Sequence, residues 1–175
     1  MGDHLNALRI MRSALAVAHK ADPTPTAFCV GCVLAVTWPP GSADLTILST
    51  GYSRELPGNT HAEANALAKL HSMTPVQIAA LFPDQSPPDI KNLLAQLDVY
   101  TTMEPCSVRT SGLSPCADAL ISAGVRRCFI GVGEPDDFVT CEGTQKLKDA
   151  GIEVIWMVGL EEECLKAARR GHDSS

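Results

Sequence analysis

Apolar residues at Leu5, Leu8, Ile10, Met11, Leu15, Val17 and Ala18 recur near the helical period, which predicts an amphipathic helix over 4–20. Asp22-Pro23 and Pro25 stop it. A continuous apolar run, AFCVGCVLAV at 27–36, lies between prolines and predicts a buried strand. The turn at 38–42 then leads to a second strand over 45–50, its hairpin partner. After a loop at 51–59, Thr60 is the expected N-cap of a helix rich in Ala and Leu, with His61 and Glu63 in its first turn. Residues 74–98 read as an insertion, in which Thr74-Pro75 caps a short helix and Asp89 starts another through Leu97. A strand over 98–102, a helix over 117–123, a strand over 127–132, a helix over 143–150, a strand over 152–158 and a helix over 160–170 complete the order. Strand, helix, strand in succession requires a parallel crossover, whereas the first two strands form a hairpin. The pattern predicts a three-layer α/β/α domain spanning 1–175 around a five-stranded mixed sheet.

Composition narrows the class of function. With 175 residues, 45% of them hydrophobic and 19% charged, the chain has the profile of an ordered globular domain. A net charge of -6 gives no basic footprint for a polyanion, so a nucleic-acid partner is disfavoured and a small molecule favoured. No run of 18 apolar residues occurs, and Asp3, His4, Arg9, Arg12 and His19 interrupt the first twenty, unlike a signal peptide. The expected setting is the cytoplasm, with the nucleus also open, and no membrane. Seven cysteines in such a setting point to reduced thiols and metal binding, not a disulfide framework.

Two stretches carry candidate chemistry: His61-Ala62-Glu63, and Pro105-Cys106 followed after nine intervening residues by Cys116. One imidazole and two thiolates make three zinc ligands, and a site with three protein ligands keeps a fourth position for water. His61 and Glu63 do not share a helix face, so both reach one ion only if it lies off the helix end. There the free N–H groups favour anionic ligands. Cys29 and Cys32 form a C-x-x-C pair, but strand alternation separates i and i+3, so both read as core. Cys128 and Cys164 read as packing, Cys141 as loop, and His4, His19, His71 and His172 as surface residues.

Together, H-A-E opening a helix and P-C at a strand end followed by a second P-C resemble the cytidine-deaminase-type zinc deaminases. The stretch TTMEPCSVRTSGLSPC is similar to the riboflavin-biosynthesis pyrimidine deaminases, and GYSRELPGNTHAEANAL with PTPTAFCVGCVLAV looks like their fungal branch, without a reductase domain. The resemblance implies Zn²⁺ on His61, Cys106 and Cys116, with Glu63 shuttling protons during hydrolytic deamination at C2 of a pyrimidinone. It implies 2,5-diamino-6-ribitylamino-4(3H)-pyrimidinone 5′-phosphate, or its ribosyl precursor, as substrate. Arg54, which stands where bacterial members bind substrate, and Arg109 are then expected to meet the phosphate. Glu55, Asn59, Thr110 and Ser111 are expected to make polar contacts. Relatives of this kind also imply a homodimer. A nucleobase, nucleoside or tRNA adenosine deaminase, and a zinc-stabilised scaffold without turnover, remain as alternatives.

Overall fold

The computed structural model describes residues 2–42, 45–83, 85–86, 89–109, 111–135 and 141–172. Helix α1 (Gly2–Ala18) is followed by strands β1 (Gly31–Thr37) and β2 (Leu45–Tyr52), then by helices α2 (Ala62–His71), α3 (Pro75–Ala80) and α4 (Ile90–Ala95). Strand β3 (Asp98–Met103), helix α5 (Cys116–Ala123), strand β4 (Arg127–Val132), helix α6 (Gly143–Asp149), strand β5 (Glu153–Trp156) and helix α7 (Glu161–Ala168) complete the order. The sheet runs β2-β1-β3-β4-β5. β1 is antiparallel to both β2 and β3, while β3, β4 and β5 are parallel, so the sheet is mixed as the hairpin and crossovers require.

Strand alternation divides the core into two layers. Leu34, Val36, Val99, Cys128 and Ile130 point to the face covered by α2, α5 and α6, where Ala66, Leu70, Leu120 and Leu147 meet them. Val33, Ala35, Tyr100 and Phe129 point to the other face, against Ile10, Met11 and Ala14 of α1 and Cys164 and Ala167 of α7. The Tyr100 and Phe129 rings stack there at 4.4 Å across the parallel β3–β4 pair. β3 and the middle of β4 are buried on both faces, as central strands between two helical layers are. The 74–98 segment forms α3 under a Thr74–Gln77 capping box and α4 under Asp89, and sinks Ile78, Phe82, Leu93 and Leu97 into the α2-side core.

Two local expectations differ from the structure. The apolar run at 27–36 becomes a strand only from Gly31 onward, because the preceding backbone finds partners outside the sheet. Cys29 N donates to Ala168 O, and Val30 N donates to the Ser53 hydroxyl. Thr60 is also not the N-cap of α2; His61 holds that position with extended backbone, and the Thr60 hydroxyl instead donates to Leu56 O and accepts from Asn65 Nδ2. The side chain of Asn65 ties the start of α2 to β2 through Tyr52 O at 2.8 Å.

At the N-terminal end of β3, the fully buried Asp98 carboxylate takes paired hydrogen bonds from Arg126 and Arg127, with Nη2 contacts of 3.0 and 2.5 Å. Both guanidinium groups reach solvent in part, so the pair is worth less than a fully buried one. Asp98→Ala is expected to remove about 2–3 kcal/mol, which lowers the melting temperature by roughly 5–10 °C in a chain of this size. Zinc content at 20 °C, read by metal analysis alongside the melt, should not change, because the substitution lies at the opposite strand end from Cys106.

Candidate active site

Three elements deliver the candidate metal ligands. His61 is the N-cap of α2, Cys116 is the first residue of α5, and Cys106 arrives on the loop just beyond the end of β3. His61 Nδ1 lies 3.5 Å from Cys106 Sγ and 3.5 Å from Cys116 Sγ, and the three ligand atoms fall within 4.8 Å of one another. Tetrahedral zinc with ordinary Zn–N and Zn–S bonds separates such nitrogen and sulfur atoms by about 3.6 Å. The donor set therefore fits zinc in type and spacing, and leaves one tetrahedral position without a protein ligand. The starts of α2 and α5 add positive potential from two sides, and Cys116 N donates directly to Cys106 Sγ at 3.3 Å.

Close backbone packing sets this convergence. A Cβ on Gly51 would lie 2.2 Å from Ala62 O, so a glycine in β2 is what lets α2 settle on the sheet with His61 and Glu63 at its head. A Cβ on Gly143 would lie 1.7 Å from Pro105 O, which seats the start of α6 against the cysteine loop. Lys146 fastens the same junction by donating to Ser107 O and to the Asp118 carboxylate on α5, at 3.2 and 3.1 Å. The Ser107 hydroxyl accepts from Glu142 N.

Glu63 sits in the first turn of α2, almost wholly buried, and accepts a hydrogen bond from the Thr101 hydroxyl at 2.9 Å. Burial above all, and then the Cys106 charge, raises its carboxyl above the ordinary range. Thr101 has a second acceptor, Met103 O, at 3.0 Å. Its single proton can therefore turn toward the backbone when Glu63 carries a proton and toward Glu63 when it does not. Between the thiols, the hydrogen bond from Cys116 is the main influence that pulls Cys106 down to about 4, with His61 and Cys116 N assisting. That same bond, with burial, holds Cys116 up.

These groups open onto a cavity of about 350 Å³ lined in part by His61, Glu63, Met103 and Cys106. Asn59, Arg109 and Ser111 also line it, and Arg109 donates to Asn59 O across the two loops that flank the ligands. Thr110 lies outside the described residues. Arg54 lines the cavity, but its guanidinium is committed to Phe28 O, Asp22 O and Cys29 Sγ, at 3.0, 2.6 and 3.3 Å. These contacts brace the wall, and they leave Nε–H and one Nη1–H of the guanidinium without a contact among these three. Glu55 stands outside the cavity lining: its carboxylate binds Lys69 Nζ at 2.5 Å and accepts from Tyr52 N at 3.2 Å.

The sequence reading missed three groups here. Glu134, two residues past the end of β4, lines the cavity with one carboxylate oxygen buried and without a hydrogen-bond partner. Burial raises its carboxyl above the usual range. The carboxyl ends of parallel strands are where ligands bind in open α/β sheets, so its position was the available signal. Glu104, beside Cys106, lines the cavity and accepts from Thr144 N at 2.7 Å in the first turn of α6. Phe28 contributes to the opposite wall. Cys29, Cys32, Cys128 and Cys164 are all fully buried, consistent with packing. His172 is not a free surface residue, since its ring stacks on Phe28.

Comparison with known proteins converges on one family. The sequence model of the cytidine and deoxycytidylate deaminase zinc-binding region matches residues 6–132. The chain is 41% identical over 162 residues to diaminohydroxyphosphoribosylamino-pyrimidine deaminase of Schizosaccharomyces pombe, covering 93% of this chain and 35% of that protein. It is 32% identical over 161 residues to riboflavin biosynthesis protein RibD of Actinobacillus pleuropneumoniae, covering 90% of this chain and 34% of that one. It thus spans about a third of the length of these curated relatives. Among solved structures, the C-terminal deletion mutant of Aspergillus oryzae Rib2 deaminase in complex with DARIPP superposes with a TM-score of 0.76 at 34% identity, covering 95% of this chain and 92% of that one. With the donor set, the helix starts and the sheet order all in agreement, the chain belongs to the cytidine and deoxycytidylate deaminase zinc-binding family.

Proposed function

We propose that this chain is a zinc-dependent pyrimidine deaminase of riboflavin biosynthesis, acting on 2,5-diamino-6-ribitylamino-4(3H)-pyrimidinone 5′-phosphate and releasing its C2 amine as ammonia. The observation that carries the reading is the placement of the buried Glu63 carboxyl on the same cavity as the metal-ligand cluster of His61, Cys106 and Cys116. The substrate class rests on the likeness to the fission-yeast pyrimidine deaminase and to the Rib2 deaminase solved with DARIPP.

Zinc held by His61, Cys106 and Cys116 supplies Lewis acidity that lowers the pKa of water toward neutrality. Glu63 would take a proton from the attacking water and pass it to the ring nitrogen, then take the second proton from the added hydroxyl and pass it to the amine, which leaves as ammonia. Burial raises the Glu63 carboxyl above the ordinary range, the direction that favours its protonated form. Glu134 offers its unpartnered oxygen to an N–H edge of the ring. Arg109, Asn59 and Ser111, which line the cavity, serve the phosphate tail together with Thr110, their neighbour in sequence. Arg54 shapes the wall through loop carbonyls.

Residues 1–175 act as one deaminase unit, working as a homodimer in the cytoplasm. Among the described residues no helix is long and apolar enough to cross a membrane. The direct test is ammonia release by the purified protein from the phosphorylated diaminopyrimidine, set against cytidine, guanine and tRNA. Turnover confined to the pyrimidine phosphate is expected. Activity only on one of the other three would sink the riboflavin reading, and a zinc-loaded protein inert to all four would leave a scaffold.

A further inference from the structure

The cavity wall at residues 26–30 is built without a strand. Thr26, Ala27, Phe28 and Val30 line the cavity, yet this stretch lies before β1 and has no ladder partner apart from a bridge between Thr24 and Ala27. Backbone carbonyls outside a ladder still need donors. Val30 O accepts from Ser53 N, and side chains serve the carbonyls before it: Arg54 reaches Asp22 O and Phe28 O, and Arg170 reaches Ala21 O at 2.6 Å. His172 adds a contact at Ala27 and Phe28. Its Nε2 lies 3.1 Å from Ala27 O, and its ring stacks on Phe28 at 5.2 Å between centroids, with 27° between the planes.

From this arrangement we infer that His172 is a positioning residue for substrate binding, holding the Ala27–Phe28 wall against the cavity from behind. The assignment rests on the proposed function, which makes that cavity the substrate pocket. His172 does not itself line the cavity, and it belongs to the segment just after α7, far in sequence from every metal ligand. Two contacts act at adjacent residues: the hydrogen bond fixes the Ala27 carbonyl and the stack fixes the Phe28 ring. Arg170 holds the same segment down by a second bond, to Ala18 O at the end of α1.

A residue that shapes the pocket without touching the reacting atoms should change substrate binding and spare the chemical step. His172→Ala is expected to raise KM about fivefold or more, to leave kcat within about twofold and to leave zinc content unchanged. His172→Phe keeps the stack and His172→Gln keeps a donor for Ala27 O, so each should recover part of the loss. An unchanged KM overturns the inference, as does a fall in kcat together with loss of zinc. Hydrogen exchange over 24–30 decides the brace without substrate: faster exchange in His172→Ala supports it, and unchanged exchange overturns it. A wild-type protein inactive on the pyrimidine phosphate sinks the functional reading instead, a result separate from the exchange.

Discussion

Glu63→Gln is expected to keep a full complement of zinc and to lower kcat by about a thousandfold, close to 4 kcal/mol of transition-state stabilisation. Gln has nearly the same shape and still offers Thr101 an oxygen to donate to, so the 2.9 Å contact and the packing of the α2 start survive. What it lacks is a site for a proton. If Glu63 only filled space beside the cysteines, the amide would serve as well and activity would persist. If it were a fourth metal ligand, zinc content would fall with activity. Metal analysis and ammonia release on the same preparation therefore separate three roles, and only the combination of retained zinc and lost turnover fits a proton shuttle. KM should move little, because the loss falls on the step and not on binding.

The parts of this molecule that could be read from its sequence are those whose cause is local. Periodicity placed β4 at 127–132 and α5 within a residue of its start because the burial that creates the pattern acts on consecutive residues. His61, Cys106 and Cys116 were readable for a different reason: a metal needs particular donor types, and helix starts and strand ends are where sequence signals are strongest. The losses came where partners are distant in sequence. Residues 27–30 look like a strand until Ala168 O and the Ser53 hydroxyl take their N–H groups. Arg54 gives no sign in the sequence that it also braces carbonyls more than twenty residues away. Thr101 lay within reach, since a polar residue two positions from Val99 on a wholly buried strand must find a partner on the α2 side. His172 was not, because nothing near it in sequence refers to Phe28.

Stripping the metal is expected to lower the melting temperature by roughly 5–10 °C, with recovery when zinc is returned. The reason lies in the thiol pair. Without a cation, the hydrogen bond from Cys116 pulls Cys106 down to about 4 while Cys116 itself is held up, so the pair settles on one negative charge in a buried pocket. A divalent cation removes that restriction, because both sulfurs can then ionise and each bonds to the ion. The unfolded chain separates His61 from Cys106 by 45 residues and cannot offer this set, so zinc binds the folded state selectively. Free zinc at a hundred times its dissociation constant then adds about 2.7 kcal/mol to stability. Cys106→Ser and Cys116→Ser should each abolish the zinc-dependent part of the melt together with turnover, whereas Glu63→Gln should preserve it in full. A wild-type melt indifferent to both chelator and zinc would mean that the three side chains, though correctly spaced, do not hold the ion in solution.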